Sequence, residues 1–392
     1  MQLKSRKLKI MRIYYRYFLL LILLLLCGFP LALSSQAATT AKGPITIGVM
    51  LPLHQLDGDG KRMTEYYRGM LMACNQLKTA GYTIHVQAWN VDANTDIEQV
   101  LQRESVEKCN VIFGPLYSKQ VKPLADYCKS RRIRLVIPFS ITGNEVASNP
   151  YVFQVYQDGA RLTNAAVNAF LERFSKCHPV FVDCNDSINP KGAFTAALRK
   201  QLDIKGVSYN ITNLKSPDDA FAKAFSATQP NVVVLNTARS PELNAVFVKL
   251  ERLEQLYPGR VVRLFGYTEW LMYASYDFAH FCKYDTYIPT TFYYNASATA
   301  TQTLEKSYRS WFHEPLMQAL PRFAITGYDH TQFFIRGILQ YGNQFTGNRW
   351  QRFYQPLQTP LQFEPVGKGG RQNTAFQLIH YLYNGSIESL AY

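Results

Sequence analysis

The chain has 392 residues, with 42 lysines and arginines against 28 aspartates and glutamates, and its formal net charge is +14. Hydrophobic residues make up 47% and aromatic residues 14% of the sequence, which excludes intrinsic disorder, and the length predicts about two folded domains. Six cations and no acid fall within residues 1–37, and the rest of the chain carries only +8, so the charge does not indicate nucleic-acid binding.

The N-terminal segment has the pattern of an export signal. A basic run ends at Arg16, an apolar stretch follows from Phe18 to Leu33, and small residues precede a cleavage point after Ala37. This is the arrangement of a secretory signal peptide, so we expect residues 1–37 to be removed and the mature protein to be periplasmic.

Two alternatives to cleavage are a permanent membrane anchor and a lipoprotein. The apolar stretch contains Gly28 and Pro30 and is shorter than the roughly 20 residues that span a bilayer. Lipidation at Cys27 is disfavoured, because Leu26 is larger than the residue that precedes a lipidated cysteine. We therefore expect no stable membrane span after cleavage.

The chain from residue 43 to residue 155 alternates strands and helices. Short apolar runs predict the strands, and apolar residues at helical spacing predict the helices between them. The predicted strands are Ile45–Leu51, Thr83–Ala88, Val111–Phe113 and Leu135–Ile137, and the helices lie around Tyr67–Leu77, after Thr95 and at Lys119–Lys129.

The same alternation restarts after Val155 and predicts a second α/β unit of similar size. Its strands are Val180–Val182, Val207–Asn210, Val232–Leu235 and Val262–Phe265, separated by helices at Gly192–Leu202, Asp218–Phe225 and Pro241–Leu256. The last third is less regular, with helices near Thr303–Trp311 and Tyr328–Leu339 and strands near Leu361–Phe363 and Phe376–Tyr383. Alternating strands and helices of this kind predict two parallel sheets covered by helices.

Six cysteines follow the predicted signal peptide. Several lie inside apolar periodic segments of a chain that can build large cores, so we expect most of them to be buried free thiols rather than disulfides. They are Cys74, Cys109, Cys128, Cys177, Cys184 and Cys282.

Motifs that would supply catalysis, a metal or a cofactor are absent from the sequence. No G-x-S-x-G turn occurs, the histidines have no paired helical spacing, and the glycines before Lys61 depart from a phosphate-binding loop at two positions. We therefore expect a binding protein without cofactor or metal. An exported carbohydrate hydrolase is a weaker alternative, which would require two carboxylates to converge from distant positions.

Parallel sheets of this type bind ligands beyond the carboxyl ends of their strands. This rule selects six loops: Leu51–His54, Gly114–Ser118, Pro138–Thr142, Asp183–Asp186, Asn236–Arg239 and Tyr267–Trp270.

Several of these segments carry recognisable motifs. The opening strand reads ITIGVMLPL at Ile45–Leu53, and it is followed by VIFGPLYS at Val111–Ser118, IPFS at Ile137–Ser140 and NPYVF at Asn149–Phe153. In order and spacing the chain resembles the type I periplasmic solute-binding proteins, the group of the leucine/isoleucine/valine-binding proteins. The resemblance covers roughly residues 43–340 and is strongest before residue 160.

The resemblance implies a Venus-flytrap fold, in which two Rossmann-like parallel-sheet lobes are joined by three crossovers. The crossovers would lie near Val155, near Thr286–Tyr293 and near residue 345. Lobe 1 would then comprise residues 43–155 and 290–345, and lobe 2 residues 156–289 and 346–392. The implied function is non-enzymatic binding of a small polar ligand, with an amino acid or short peptide favoured and an ABC transporter permease as one partner.

The resemblance also implies ligand-binding residues. Hydroxyl groups of the first lobe would hold a carboxylate, and by position these are Ser118, Ser140 and Thr142, with Tyr117 beside them. On the second lobe an acid would meet an ammonium group, which indicates Glu269, with Tyr267 on the same strand end. The residues alone leave open a capping role for Ser118, turn roles for Ser140 and Thr142, and a surface role for Glu269.

Departures from the family pattern motivate a second function. The first loop, His54–Gly60, is longer and more charged than usual, and Ser140 and Thr142 have an altered spacing. The sequence also resembles a divergent envelope branch in which this domain can follow LysM repeats, although no such repeat is present here. An envelope module that contacts a cell-wall-associated protein is therefore the alternative to a transport protein.

Overall fold

The computed structural model describes residues 43–140, 142–188, 191–351 and 353–392, so the predicted signal peptide and Cys27 lie outside the described residues. Within that part of the chain, none of the helices combines the length and apolar character needed to cross a membrane. The described residues form the two parallel sheets that the alternation of strands and helices predicts, and a three-stranded antiparallel sheet that one bridge joins to the second of them.

The first sheet has seven strands in the order β11-β12-β5-β4-β3-β1-β2. All neighbouring pairs are parallel except β11 with β12. The strands are β1 (Ile45–Leu51), β2 (Ile84–Asn90), β3 (Val111–Phe113), β4 (Arg134–Ile137), β5 (Val152–Gln154), β11 (Phe363–Pro365) and β12 (Arg371–Asn373).

Helices cover both faces of this sheet because its strands are apolar on both sides. Ile47, Val49 and Leu51 of β1 belong to one core cluster, whereas Met50 belongs to another. The helices are α1 (Gly58–Thr79), α2 (Ile97–Leu101), α3 (Glu104–Glu107), α4 (Val121–Arg131), α5 (Glu145–Ser148), α11 (Thr299–Phe312) and α12 (Phe323–Tyr341).

Helices α1 and α12 pack with their backbones in direct contact. A Cβ atom added to Gly69 would lie 1.8 Å from the carbonyl oxygen of Ala324, and one added to Gly327 would lie 2.0 Å from that of Tyr66. Only glycine permits so close an approach, so these two residues set the spacing of the helix pair.

The second sheet begins with four parallel strands in the order β7-β6-β8-β9, namely β6 (His178–Asp183), β7 (Asn210–Asn213), β8 (Asn231–Leu235) and β9 (Val262–Leu264). A parallel bridge between Phe265 and Tyr287 joins it to β10 (Thr286–Thr290), which pairs with β13 (Gln377–Tyr381) and then β14 (Ile387–Ala391). Its helices are α6 (Gly159–Arg173), α7 (Gly192–Ile204), α8 (Asp218–Ala222), α9 (Ser240–Leu256) and α10 (Phe278–Lys283).

Three segments connect the two sheets. The first follows β5, the second follows β10, and the third joins β12 to β13. Gln157 in the first segment donates its amide to the carbonyl oxygen of Ala375 in the third, at 2.8 Å. The first and third crossovers are therefore tied side by side.

The third crossover lies about thirty residues later than the sequence predicts, so its expected position near residue 345 is wrong. Residues 346–392, predicted as part of lobe 2, divide between the sheets: β11 and β12 pair within the first, and β13 and β14 within the second. The reason is Phe363, which is fully buried against Phe153, Phe333 and Phe334 of the first lobe. We therefore use lobe 1 for residues 43–155 and 291–375 and lobe 2 for the rest of the described chain.

The cysteine prediction is confirmed. All six cysteines after the predicted signal peptide are buried free thiols. Burial raises the pKa of the thiols of Cys74, Cys109 and Cys184 to about 12, which keeps them protonated and unreactive.

Candidate functional site

The carboxyl ends of the parallel strands bring the six predicted loops to two edges. Strands β1, β3, β4 and β5 run in the same direction, and the first crossover leaves from the end of β5. Strand β10 is likewise parallel to β9, and the second crossover leaves from its end at Thr290. Each sheet therefore presents its carboxyl edge towards the crossovers, and the loops of the two lobes border the same region.

The loop after β3 carries Tyr117 and Ser118. The Tyr117 hydroxyl donates to Asp59 Oδ2 at 3.2 Å, and burial together with the nearby Asp59 raises its pKa to about 12. Ser118 begins a 3₁₀ helix, is exposed, and its hydroxyl has no hydrogen-bond partner among the described residues. Of the three predicted hydroxyl residues, Ser118 is thus the one whose hydroxyl is open to a ligand.

The other two hydroxyls bond within lobe 1. Ser140 is buried and donates to the carbonyl oxygens of Leu116 and, at 3.2 Å, of Pro115. Thr142 is also buried, and both its hydroxyl and its backbone N–H donate to Oε1 of Gln154. These bonds fix the loops after β3 and β4 to each other and to β5.

Apolar side chains at the same edge were not predicted as site residues. Leu53, Phe139 and Phe323 are half-buried and pack on one core cluster, and we call them the lobe 1 apolar patch. The Phe139 ring lies 5.2 Å from that of Tyr66 and 5.9 Å from that of Phe323, centroid to centroid. Two of its members had a sequence signal, since Leu53 ends the ITIGVMLPL motif and Phe139 stands inside the IPFS motif.

The edge of lobe 2 carries an ion pair. Lys191 Nζ lies 2.6 Å from Glu269 Oε1, and the side chains of these two residues are 24% and 37% exposed. The same ammonium lies 5.3 Å from the centre of the Tyr267 ring. Lys191 was not predicted, because it is 78 residues away from Glu269 and only the fold brings the two together.

Tyr267 packs against the Lys191 ammonium of this ion pair. It is buried, and its hydroxyl donates to the carbonyl oxygen of Leu235 at the end of β8. Burial raises the pKa of Tyr267 well above its usual value, so the phenol stays neutral. Its ring offers the Lys191 ammonium a cation–π contact.

A second charged cluster lies at the neighbouring strand ends. Asp186 is buried and accepts hydrogen bonds from the Thr237 hydroxyl at 2.6 Å and from Arg239 Nη1 at 3.4 Å. The same Nη1 lies 3.2 Å from Glu242 Oε1. Arg239 is therefore held by two acids of its own lobe, whereas Lys191 and Glu269 hold only each other among the charged pairs described.

Comparison with known proteins identifies the family. Residues 44–384 match the profile of a family described as periplasmic binding protein. The chain belongs to this family. No curated protein matches the chain.

Solved structures share the fold of this periplasmic binding protein. A putative branched-chain amino acid ABC transporter protein from Rhodospirillum rubrum has 14% identity and a TM-score of 0.57, with 89% of this chain and 100% of that one covered. LpoA from Haemophilus influenzae has 15% identity and a TM-score of 0.55, and here the match covers 89% of this chain but only 59% of LpoA. The predicted family and the predicted two-sheet fold are thereby confirmed.

Proposed function

We propose that this protein is an exported, non-enzymatic solute-binding protein that closes its two lobes over a zwitterionic ligand, an amino acid or a short peptide. The observation that carries the proposal is the ion pair between Lys191 and Glu269 at the edge of lobe 2. Family membership supports the general role, and the charges and apolar groups at the two edges support the ligand class.

An ammonium and a carboxylate on one ligand match the two charges of this ion pair. Glu269 would exchange Lys191 for the ligand ammonium, and Lys191 would turn to the ligand carboxylate. Each charge then keeps an opposite partner, so that lobe closure does not leave an unpaired charge away from water. The free hydroxyl of Ser118 on lobe 1 would donate a further hydrogen bond to the carboxylate.

The side chain of such a ligand has a place on lobe 1. The apolar patch of Leu53, Phe139 and Phe323 is half-exposed in this structure and stands at the strand ends. Burying an aliphatic side chain of the size of leucine contributes about 1.5–3 kcal/mol. We therefore expect apolar amino acids to bind more tightly than glycine.

Thermal unfolding of the purified protein with and without ligand tests the ligand class. We expect one or more free amino acids or dipeptides to raise the melting temperature in a concentration-dependent way. The matched controls are the N-acetylated amides of the same amino acids, which lack both charges and should give no shift through this site. Equal shifts from the free and the blocked compounds, or no shift from any zwitterion, would rule out the proposed ligand class.

The protein would act in the periplasm, and its closed, ligand-bound form would bind an ABC permease. It requires no cofactor, since the ion pair and the hydroxyl group supply all the polar contacts named above.

A second candidate function is an envelope module that contacts a cell-wall-associated partner. The observation that favours it is the internal bonding of Ser140 and Thr142, which leaves lobe 1 with fewer open hydroxyls than the family pattern implies. Co-sedimentation with isolated peptidoglycan, with and without its bound proteins, would distinguish this role. Binding to that material by a protein that no zwitterion stabilises would favour the module.

A further inference from the structure

A cavity of about 290 Å³ lies beside the second crossover. None of the residues assigned above to the ligand site lines it. Two of its lining residues, Tyr381 and Ile387, pair with each other on β13 and β14, and Tyr381 also pairs with Thr286, the first residue of β10. The lining therefore includes residues near both ends of β10, because Phe292 follows the carboxyl end of this strand.

The cavity is uncharged. Among the described residues that line it there is no aspartate, glutamate, lysine, arginine or histidine. Leu271, Phe278, Phe292 and Leu320 supply apolar surface, and the polar lining consists of neutral groups. A charged ligand would lose part of its hydration here without gaining an opposite charge, so the lining favours a neutral molecule.

Tyr381 supplies a polar group that the protein itself does not use. The residue is only 1% exposed, and its ring packs against Phe278 and Phe281 at 6.1 and 5.3 Å. Tyr381 lines the cavity, and its hydroxyl has no hydrogen-bond partner among the described residues. This hydroxyl is accessible to solvent, so a ligand in the cavity can accept a hydrogen bond from it in place of water.

Both lobes contribute to the walls. Leu271, Phe278 and Tyr381 belong to lobe 2, whereas Phe292 and Leu320 follow the second crossover and belong to lobe 1. The volume is near the lower limit of small-molecule sites, about 300 Å³. We propose that this cavity is a second binding site, for an uncharged aromatic or apolar small molecule with a hydrogen-bonding group, separate from the proposed zwitterion site.

Titration of the protein with p-cresol tests the site, with binding measured by calorimetry and by saturation-transfer NMR. We expect saturable binding of about one molecule per chain. Benzoate is the matched charged probe, with a similar ring and a carboxylate, and should bind at least about tenfold more weakly. Equal binding of p-cresol and benzoate, or no saturable binding of p-cresol, would overturn the proposal.

Variants show whether p-cresol binds in this cavity. Ala274 lines the cavity, so Ala274→Trp should fill it and weaken p-cresol binding about tenfold or more. The control is Ala279→Trp, which changes an exposed residue outside the lining and should leave p-cresol binding unchanged. Tyr381→Phe removes only the hydroxyl and should weaken binding about threefold to tenfold, which gives a second readout if Ala274→Trp is unstable. Glu269→Gln should leave the affinity for p-cresol unchanged. Unchanged binding in both Ala274→Trp and Tyr381→Phe would contradict the assignment.

Discussion

The two lobes meet the same region with different chemistry. At the edge of lobe 1, the polar groups of Ser140 and Thr142 are bonded within the lobe, and what remains open is an apolar patch and one hydroxyl. At the edge of lobe 2, Lys191 and Glu269 stand partly exposed and pair with each other. Lobe 1 therefore presents apolar surface, and lobe 2 presents a partly exposed pair of opposite charges.

This difference separates stability from binding. Polar groups of lobe 1 that are bonded internally should matter for folding, whereas the ion pair of lobe 2 should matter for ligand affinity. Substitutions in the two lobes test that separation.

The largest loss of stability is expected from Asp329→Ala in lobe 1. The Asp329 carboxylate is fully buried and accepts from the Tyr354 hydroxyl at 2.6 Å and from the backbone N–H groups of Leu357, Gln358 and Thr359 at 2.8–2.9 Å. Its removal leaves these donors without a partner, so we expect the free energy of unfolding to fall by about 3–5 kcal/mol in urea titrations.

The control for Asp329→Ala is Asp126→Ala. Asp126 pairs with Lys122 on the surface of the same lobe, with both side chains more than half exposed, and should change stability by less than about 0.5 kcal/mol. A similar effect of the two substitutions would show that the carboxylate of Asp329 does not hold its loop.

Gly327→Ala should cost about 3 kcal/mol, because the new methyl group would meet the backbone of Tyr66 across the α1–α12 contact. The matched change in lobe 2 is Gly192→Ala, since a Cβ atom there would meet nothing within 4 Å. Chemical unfolding of both variants measures the difference. If Gly327→Ala were as stable as Gly192→Ala, helices α1 and α12 would not approach each other as closely as described.

His330 makes the stability of lobe 1 depend on pH. It is fully buried beside the Tyr66 hydroxyl at 2.9 Å, and burial lowers its pKa from 6.5 to about 3. The unfolded chain binds a proton below about pH 6.5 that the folded protein does not, so stability from this residue is lost as the pH falls from 6.5 towards 3.

Between pH 7 and pH 4.5 we expect this loss to be about 2–3 kcal/mol, and His330→Phe should lack it. Burial raises the pKa of Asp329 to about 6, which acts in the opposite direction between about pH 4 and 6. That contribution is common to both proteins, so the difference between their pH profiles reports His330. Parallel profiles would mean that the imidazole takes up a proton in the folded state.

The smallest effect separates two serines of lobe 1. Ser140→Ala removes a buried donor to Pro115 and Leu116, and should lower the free energy of unfolding by about 1–2 kcal/mol. Ser118→Ala should change stability by less than about 0.5 kcal/mol, because its hydroxyl is exposed, yet weaken ligand binding about threefold to tenfold. Stability and ligand affinity should be measured on both variants. A loss of stability in Ser118→Ala together with an unchanged stability in Ser140→Ala would contradict the account.

Much of the fold could be predicted because local patterns determine it. Apolar runs such as Ile45–Leu51 and Val111–Phe113 mark the buried parallel strands at their observed positions. Strand β7 was displaced, since Val207–Asn210 was predicted and Asn210–Asn213 is observed. Strand β14 is mostly exposed and has no apolar run, and it was not predicted.

The misplaced third crossover has a different cause. Strands β11 and β12 have only three residues each, and their place in the first sheet depends on contacts of Phe363 with rings up to 210 residues earlier, at Phe153. Such contacts leave no local pattern. The same is true of the candidate site, where the strand-end rule selected Glu269 but not its partner Lys191.

Calorimetric titration tests the central claim, that the Lys191–Glu269 pair receives a zwitterion. The ligand is the amino acid or peptide with the largest thermal shift, and the proteins are wild type, Glu269→Gln and Asp218→Asn. Asp218 is the matched control, because its carboxylate lies 2.6 Å from Lys249 Nζ elsewhere in lobe 2. We predict that Glu269→Gln weakens binding about tenfold or more while Asp218→Asn binds like wild type. Equal affinity of all three proteins would contradict the account.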